Sequence, residues 1–169
     1  MSKPGTMPWM LCMGLISLLL SAHGKPLNTG DKAPHVYGRD PDGKKVRLAD
    51  FYKSGYTLVY FYPKSDTPGC TAQACNVRDS YESLQKAGVT VIGVSTDSPE
   101  SQKKFRDKYR LPFLLLADPE RDIVNAFGVP TIKLVGLASR QSFLIKDGII
   151  VWRDLDATPK RQAEDVLKA

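Results

Sequence analysis

The chain alternates between two hydrophobic patterns. Tyr56-Thr57-Leu58-Val59-Tyr60-Phe61-Tyr62 is a continuous run of aromatic, β-branched and aliphatic residues, which predicts a strand buried on both faces. Beyond it, Val77, Tyr81, Leu84 and Ala87 recur among polar residues at three- and four-residue spacing, which predicts an amphipathic helix ending near Gly88. The alternation continues with a strand over Val89 to Val94 and a helix over Pro99 to Tyr109 opened by Ser98-Pro99. A strand over Phe113 to Ala117 and a short helix over Glu120 to Phe127, stopped by Gly128, follow. Ser142 to Ile145 and Ile149 to Trp152 form a hairpin across Lys146-Asp147-Gly148, because Asp-Gly suits the left-handed positions of a tight turn. Thr158-Pro159 opens a last helix running to the C-terminus. Before the first long strand, residues 25 to 35 read as an extended arm, and Val36-Tyr37 with Val46-Arg47-Leu48 as an edge hairpin around Pro41-Asp42-Gly43. Strands alternating with helices and closing on a hairpin predict an α/β fold: a mixed central sheet with helices on both faces.

Candidate chemistry lies where the Tyr56 strand runs into its helix, at Pro63-Lys64-Ser65-Asp66-Thr67-Pro68-Gly69-Cys70-Thr71-Ala72-Gln73-Ala74-Cys75. Cys70 falls in the first helical turn, where unpaired backbone N–H groups and the positive end of the helix dipole favour a thiolate over a thiol. Cys70 is therefore the expected nucleophile of a redox site.

Length and composition, with 169 residues of which 42% are hydrophobic and 25% charged, fit one ordinary globular domain. The first 24 residues read as separate from it. Lys3 is a short basic start, Trp9 to Leu20 is apolar apart from small residues, and Ala22-His23-Gly24 offers small residues at a cleavage site. That run is shorter than the roughly 20 residues of a membrane-spanning helix. The expectation is a signal peptide over 1–24, a domain over 25–169, export to a periplasmic or other extracytoplasmic compartment, and no stable membrane contact after cleavage. Removing Lys3 lowers the formal charge only from +6 to +5. With basic residues scattered among acids, no nucleic-acid partner is implied.

Cleavage would also remove Cys12 and leave Cys70 and Cys75. A purely stabilising disulfide has little physical motive, since so short a loop removes little unfolded-state entropy. A metal site would need carboxylates to complete its ligands, because His35 is the only histidine outside the leader; no metal or cofactor is expected. Gly38 to Lys44 imitates the start of a phosphate loop, but Lys45 stands where a hydroxyl is required and strand residues follow. A thioredoxin-like thiol-disulfide exchanger remains an alternative, although its motif places two residues between the cysteines and this chain has four.

The frame Pro63-xxx-Thr67-xx-Cys70 resembles the peroxidatic signature of the peroxiredoxins. A second cysteine five positions later on the same helix resembles the peroxiredoxin Q, or bacterioferritin comigratory protein, subfamily. Arg140-Gln141-Ser142-Phe143-Leu144-Ile145 and Asp97-Ser98 extend the resemblance, which spans about Gly30 to Ala169. It implies a thioredoxin-like fold and a cofactor-free, antioxidant peroxidase that acts on hydrogen peroxide and organic hydroperoxides and is recycled by thioredoxin or another dithiol. Cys70 would be peroxidatic and Cys75 resolving, with a buried bystander as the alternative for Cys75. No Gly-Gly-Leu-Gly segment or C-terminal Tyr-Phe extension is present, so a monomer or weak dimer is expected rather than a ring.

The residues suit that chemistry. A thiolate attacking ROOH becomes a sulfenic acid, but a low-basicity thiolate is also a weaker nucleophile, so the O–O unit must itself be bound. The Thr67 hydroxyl can donate and accept, or serve as a helix N-cap. Gly69 and Cys70 present backbone N–H groups, and Arg140, expected on a distant strand, would bring fixed positive charge. Pro63 and Pro68 would stiffen and shield the loop. The Tyr62 and Phe127 neighbourhoods are candidates for accommodating organic groups. On an intact helix, positions five apart are separated by about 7.5 Å of rise and roughly 140° of rotation. A disulfide needs Cα atoms about 4.4–6.8 Å apart, so pairing Cys70 with Cys75 requires the helix to open.

Overall fold

The computed structural model describes residues 24–169 apart from residue 133; apart from Gly24, the expected leader lies outside the described residues. The first long apolar run forms a strand near the middle of a seven-stranded sheet. The strands are β1 (Tyr37–Arg39), β2 (Lys45–Arg47), β3 (Tyr56–Phe61), β4 (Val89–Ser95), β5 (Leu114–Ala117), β6 (Ser142–Lys146) and β7 (Ile149–Asp154). Their spatial order is β2-β1-β5-β4-β3-β6-β7. β3, β4 and β5 run parallel, while β6 lies antiparallel on the other side of β3. The helices are α1 (Pro68–Asp79), α2 (Tyr81–Lys86), α3 (Pro99–Tyr109), α4 (Asp122–Ala126) and α5 (Gln162–Lys168), with a 3-10 helix over Leu48–Lys53.

β3 reads as continuously apolar because both its faces are covered. Successive side chains alternate sides, so Leu58, Tyr60 and Tyr62 pack with Cys70, Ala74 and Val77 of α1, while Val59 and Phe61 pack with Phe127 and Phe143 on the opposite face. This accounts for Tyr62 and Phe127, which are 1% and 0% exposed. Tyr62 lies against Tyr60 and Phe105, and Phe127 against Phe61 and Phe143, so both complete the core rather than forming an open surface for organic groups.

The local signals hold where chemistry is local. Ser98 accepts from the Ser101 N–H at the start of α3, and Asp147 and Gly148 both take positive φ in the β6–β7 turn. The edge hairpin forms as β1 and β2. The arm is not extended throughout: a turn closed by the Asp31 N–H on Asn28 O, with Gly30 at positive φ, interrupts it and lets it hydrogen-bond β7 through the Gly30 N–H to Ile150 O and the Ile150 N–H to Asp31 O. The predicted helix through Val77 and Ala87 is instead two helices that meet at Ser80, whose φ of −101° and ψ of 7° leave the helical region. Ser and Asp side chains compete for nearby backbone groups, and Asp79-Ser80 is a poor helix interior. Val77 and Leu84 are buried, but Ala87 is exposed. The last helix begins at Gln162 rather than Thr158, because Thr158 to Arg161 closes a turn through the Arg161 N–H and Thr158 O. The helix predicted from Glu120 is confined to Asp122–Ala126, after Arg121 in the left-handed region.

Asp118, following β5, carries a pH-sensitive cost. Its carboxylate accepts from the Val124 N–H at 2.9 Å, yet burial outweighs the backbone donors and pushes it up from 3.8 to about 6. The folded chain holds this proton more tightly than the unfolded chain. The contribution to stability therefore falls as pH rises from about 3.8 to about 6. Asp118→Asn keeps an acceptor for Val124 and removes the titration. Urea unfolding at pH 4 and pH 7 is expected to show the variant gaining about 1–3 kcal/mol relative to wild type across that window; parallel profiles would contradict this origin.

Candidate active site

The site forms at the C-terminal end of β3. Phe61 N–H donates to Gln141 O at 2.7 Å and Tyr62 N–H to Val94 O at 3.1 Å, so both neighbours hold the strand up to the loop. The Tyr60–Ser142 pairing of β3 with β6 brings Arg140, two residues ahead of β6, alongside the start of that loop. Arg140 thus reaches the site from the segment preceding a strand, not from the strand predicted for it. Its Nη2 lies 3.4 Å from Cys70 Sγ, and its Nη1 donates to Gln73 Oε1.

Cys70 is 2% exposed, at the third position of α1. Pro68 occupies the first helical position, where a missing N–H costs no helical bond. Thr71 N–H is taken by Thr67 O at 2.8 Å, whereas the Gly69 and Cys70 N–H groups have no backbone partner among the described residues. Fixed cationic charge thus lies against the sulfur and free amide donors open the same helix, an arrangement that would stabilise negative charge developing on an attacked oxygen.

Thr67 stands at the N-cap, with φ −94° and ψ 154°, but its side chain makes no capping hydrogen bond. Its hydroxyl donates to Lys64 O at 2.9 Å. The proton is thereby committed and the oxygen lone pairs remain, so Thr67 is placed to accept from an O–H group; donation would require this bond to break. Pro63 is half-buried, while Pro68 is exposed. Pro68 starts the helix instead of covering the sulfur.

The loop is held from behind by a network the sequence did not announce. Asp97, just past β4, accepts from Ser65 N–H and Ser95 Oγ, each at 2.7 Å. Gln102 donates to Ser95 Oγ and Leu116 O and accepts from Tyr62 Oη. Asp66, at φ 58°, is tied to Lys108 and Tyr109, which hold its carboxyl below the usual carboxylate range through their hydrogen bonds. These contacts fix a loop whose strained residue would otherwise favour other conformations.

Cys75 is half-buried, and both cysteines are free thiols. They lie on one continuous helix, so the geometry that keeps positions five apart from pairing applies to this state. Gln73, on the turn between them, is 0% exposed. Its spacing of three from Cys70 was visible, but a polar residue in a helix window reads as solvent-facing, and its partners Arg140 and Gln162 are remote in sequence.

Gly69 permits the Arg140 approach: a Cβ there would lie 3.1 Å from Arg140 Nη2. Gly69→Ala is expected to displace the guanidinium and slow iodoacetamide alkylation of Cys70 by about tenfold, with thermal unfolding at or above the wild-type midpoint because Ala favours the helix. Unchanged alkylation kinetics would show that Arg140 does not govern the sulfur.

The AhpC/TSA family matches residues 29–153. Chloroplastic peroxiredoxin Q of Populus jackii is 42% identical over 144 residues, covering 84% of this chain and 67% of the relative. Peroxiredoxin Bcp of Escherichia coli K12 is 50% identical over 104 residues, covering 62% and 66%. The chain spans 58–67% of the length of the curated relatives it first matches. Among solved structures, peroxidoxin BcpB from Mycobacterium tuberculosis aligns with a TM-score of 0.79 at 29% identity, covering 84% of this chain and 95% of that one. The Xanthomonas campestris bacterioferritin comigratory protein, described with its alkyl peroxide reduction activity and trapped intermediates, aligns at 0.74 and 25% identity, covering 86% and 96%. With its thioredoxin-like sheet and two cysteines on α1, the chain belongs to the AhpC/TSA family, as a peroxiredoxin of the peroxiredoxin Q and Bcp kind.

Proposed function

We propose that the chain is a thiol-dependent peroxidase that reduces hydrogen peroxide and organic hydroperoxides at Cys70. The observation that carries this reading is the Arg140 guanidinium 3.4 Å from the buried Cys70 sulfur at the start of α1. The Cys70 thiolate attacks the terminal oxygen of ROOH, an S–O bond forms as the O–O bond breaks, and RO⁻ leaves and takes up a proton. Arg140 and the Gly69 and Cys70 N–H groups stabilise charge on the oxygens, and the Thr67 oxygen accepts the terminal O–H. Pro63 fixes the entry to the loop.

Cys70 sulfenic acid is then attacked by the Cys75 thiolate: the S–S bond forms as the S–O bond breaks, and the leaving hydroxide takes up a proton and departs as water, giving an intramolecular disulfide. A dithiol of the thioredoxin type reduces that bond and leaves oxidised itself. The reading of residues 1–24 as a cleaved leader supports export, which would place this cycle outside the cytoplasm and call for a reductant on that side. Named relatives include chloroplastic proteins and one from a bacterium, so compartment varies among peroxiredoxins of this kind. A monomer or weak dimer suffices, since both cysteines are on one chain.

Peroxide consumption by wild type, Cys70→Ser and Cys75→Ser, each with thioredoxin or a small dithiol, tests this scheme. Wild type is expected to turn over, Cys70→Ser to lose all consumption, and Cys75→Ser to consume one equivalent and stall with thioredoxin. Turnover surviving in Cys70→Ser would overturn the assignment of the nucleophile. Disulfide exchange on protein thiols without peroxide consumption would favour the exchanger.

A further inference from the structure

The amides behind Arg140 form a chain with only one consistent direction. Arginine has donors and no acceptor, so Gln73 must turn its Oε1 toward Arg140. Its Nε2 then faces Gln162 and donates to Gln162 Oε1 at 2.8 Å. The Ser142 hydroxyl donates to the same oxygen, also at 2.8 Å. Gln73, Ser142 and Gln162 are 0%, 0% and 1% exposed, so water does not substitute freely for any of these bonds. The Gln162 Nε2 has no partner among the described residues. This orientation therefore leaves one buried donor unpaired while satisfying both donors that face the Gln162 oxygen.

Gln162 is held in register from a second direction. It opens α5, and Asn76 of α1 receives the Ala163 N–H at 2.9 Å and donates to Lys160 O at 3.0 Å. The first turn of the C-terminal helix is thus fastened to the helix that carries Cys70. Residues 89 positions apart, Gln73 and Gln162, meet because of it.

We propose that Gln162 is a positioning residue that acts through Gln73 to aim Arg140 at Cys70. Its oxygen locks the Gln73 amide with the acceptor toward the guanidinium. Without that oxygen, the Gln73 amide is free to present its NH₂ instead, a donor set against a donor, and the guanidinium moves off the sulfur. This inference rests on the peroxidase reading of Cys70.

A double-mutant cycle separates positioning from general support. Stopped-flow measurement of the single-turnover reaction of reduced protein with hydrogen peroxide is made for wild type, Gln162→Met, Gln73→Met and the double variant. Gln162→Met, close in volume to the original residue, is expected to slow the peroxide step about tenfold, with the double variant no slower than Gln73→Met alone. An unchanged rate in Gln162→Met, or a further slowing of the same size in the Gln73→Met background, would overturn the proposal. Should the methionine variants fail to fold, the wild-type Gln73 side-chain NH₂ resonances provide the measurement. Slow exchange with solvent in the reduced protein is expected, and rapid exchange would overturn the lock. Failure of wild type to react with peroxide would instead overturn the functional reading, a distinct outcome visible before any variant is made.

Discussion

The antiparallel register of β6 on β3 is the constraint on which the site depends. With Tyr60 opposite Ser142 and Phe61 N–H bound to Gln141 O, Arg140 can only arrive beside the loop that follows β3. A slip of one residue would turn every β6 side chain to the other face. Phe143 and Ile145 would leave the core cluster they share with Phe61, and Ser142 would leave Gln162. The sheet core thus enforces the position of a charge far from Cys70 in sequence. The parallel pairing with β4 performs the matching task on the other side, bringing Ser95 and Asp97 beneath Ser65.

That precision belongs to the reduced state. Joining Cys70 to Cys75 requires the intervening turns to unwind, and the contacts given up are specific: Arg140 with Gln73, Gln73 with Gln162, and the burial of Cys70 and Ala74. The next turn is held by separate attachments. Asn76 binds the start of α5, and Arg78 donates to Tyr109 O at 2.9 Å. Opening can therefore be confined to the first half of α1, leaving the second half, with Val77 in the core, as its footing. The break at Ser80 further separates α1 from α2. In the proposed cycle, the hydrogen bonds from Arg140 to Gln73 and from Gln73 to Gln162 are those that disulfide formation would release, which would couple reactivity toward peroxide to resistance to opening through Gln73.

Much of this was legible in the residues, and what was not has a common cause. The strand at Tyr56, the Ser98 cap of α3 and the Asp147-Gly148 turn depend on neighbours within a few positions. The frame from Pro63 to Cys75 identified the loop, and the structure brings Thr67, Gly69, Cys70 and Arg140 together there. The hidden part is polar and non-local. Gln73, Gln102 and Gln162 sit in helices where a glutamine is expected to face water, yet each is fully or almost fully buried and hydrogen-bonds to partners from other elements. The Thr67 bond to Lys64, which spends the hydroxyl proton, depends on loop torsions that composition does not specify.

Backbone amide exchange across α1, compared in the reduced protein and in protein oxidised by one equivalent of peroxide, tests most directly the claim that the helix carrying both cysteines comes apart between the two steps. Protection at residues 71–75 is expected to fall sharply on oxidation while β3 and β4 remain protected, with a matching loss of helical far-UV signal. Unchanged protection at 71–75 and an unchanged helical spectrum, in protein whose Cys70–Cys75 disulfide has been verified, would contradict it.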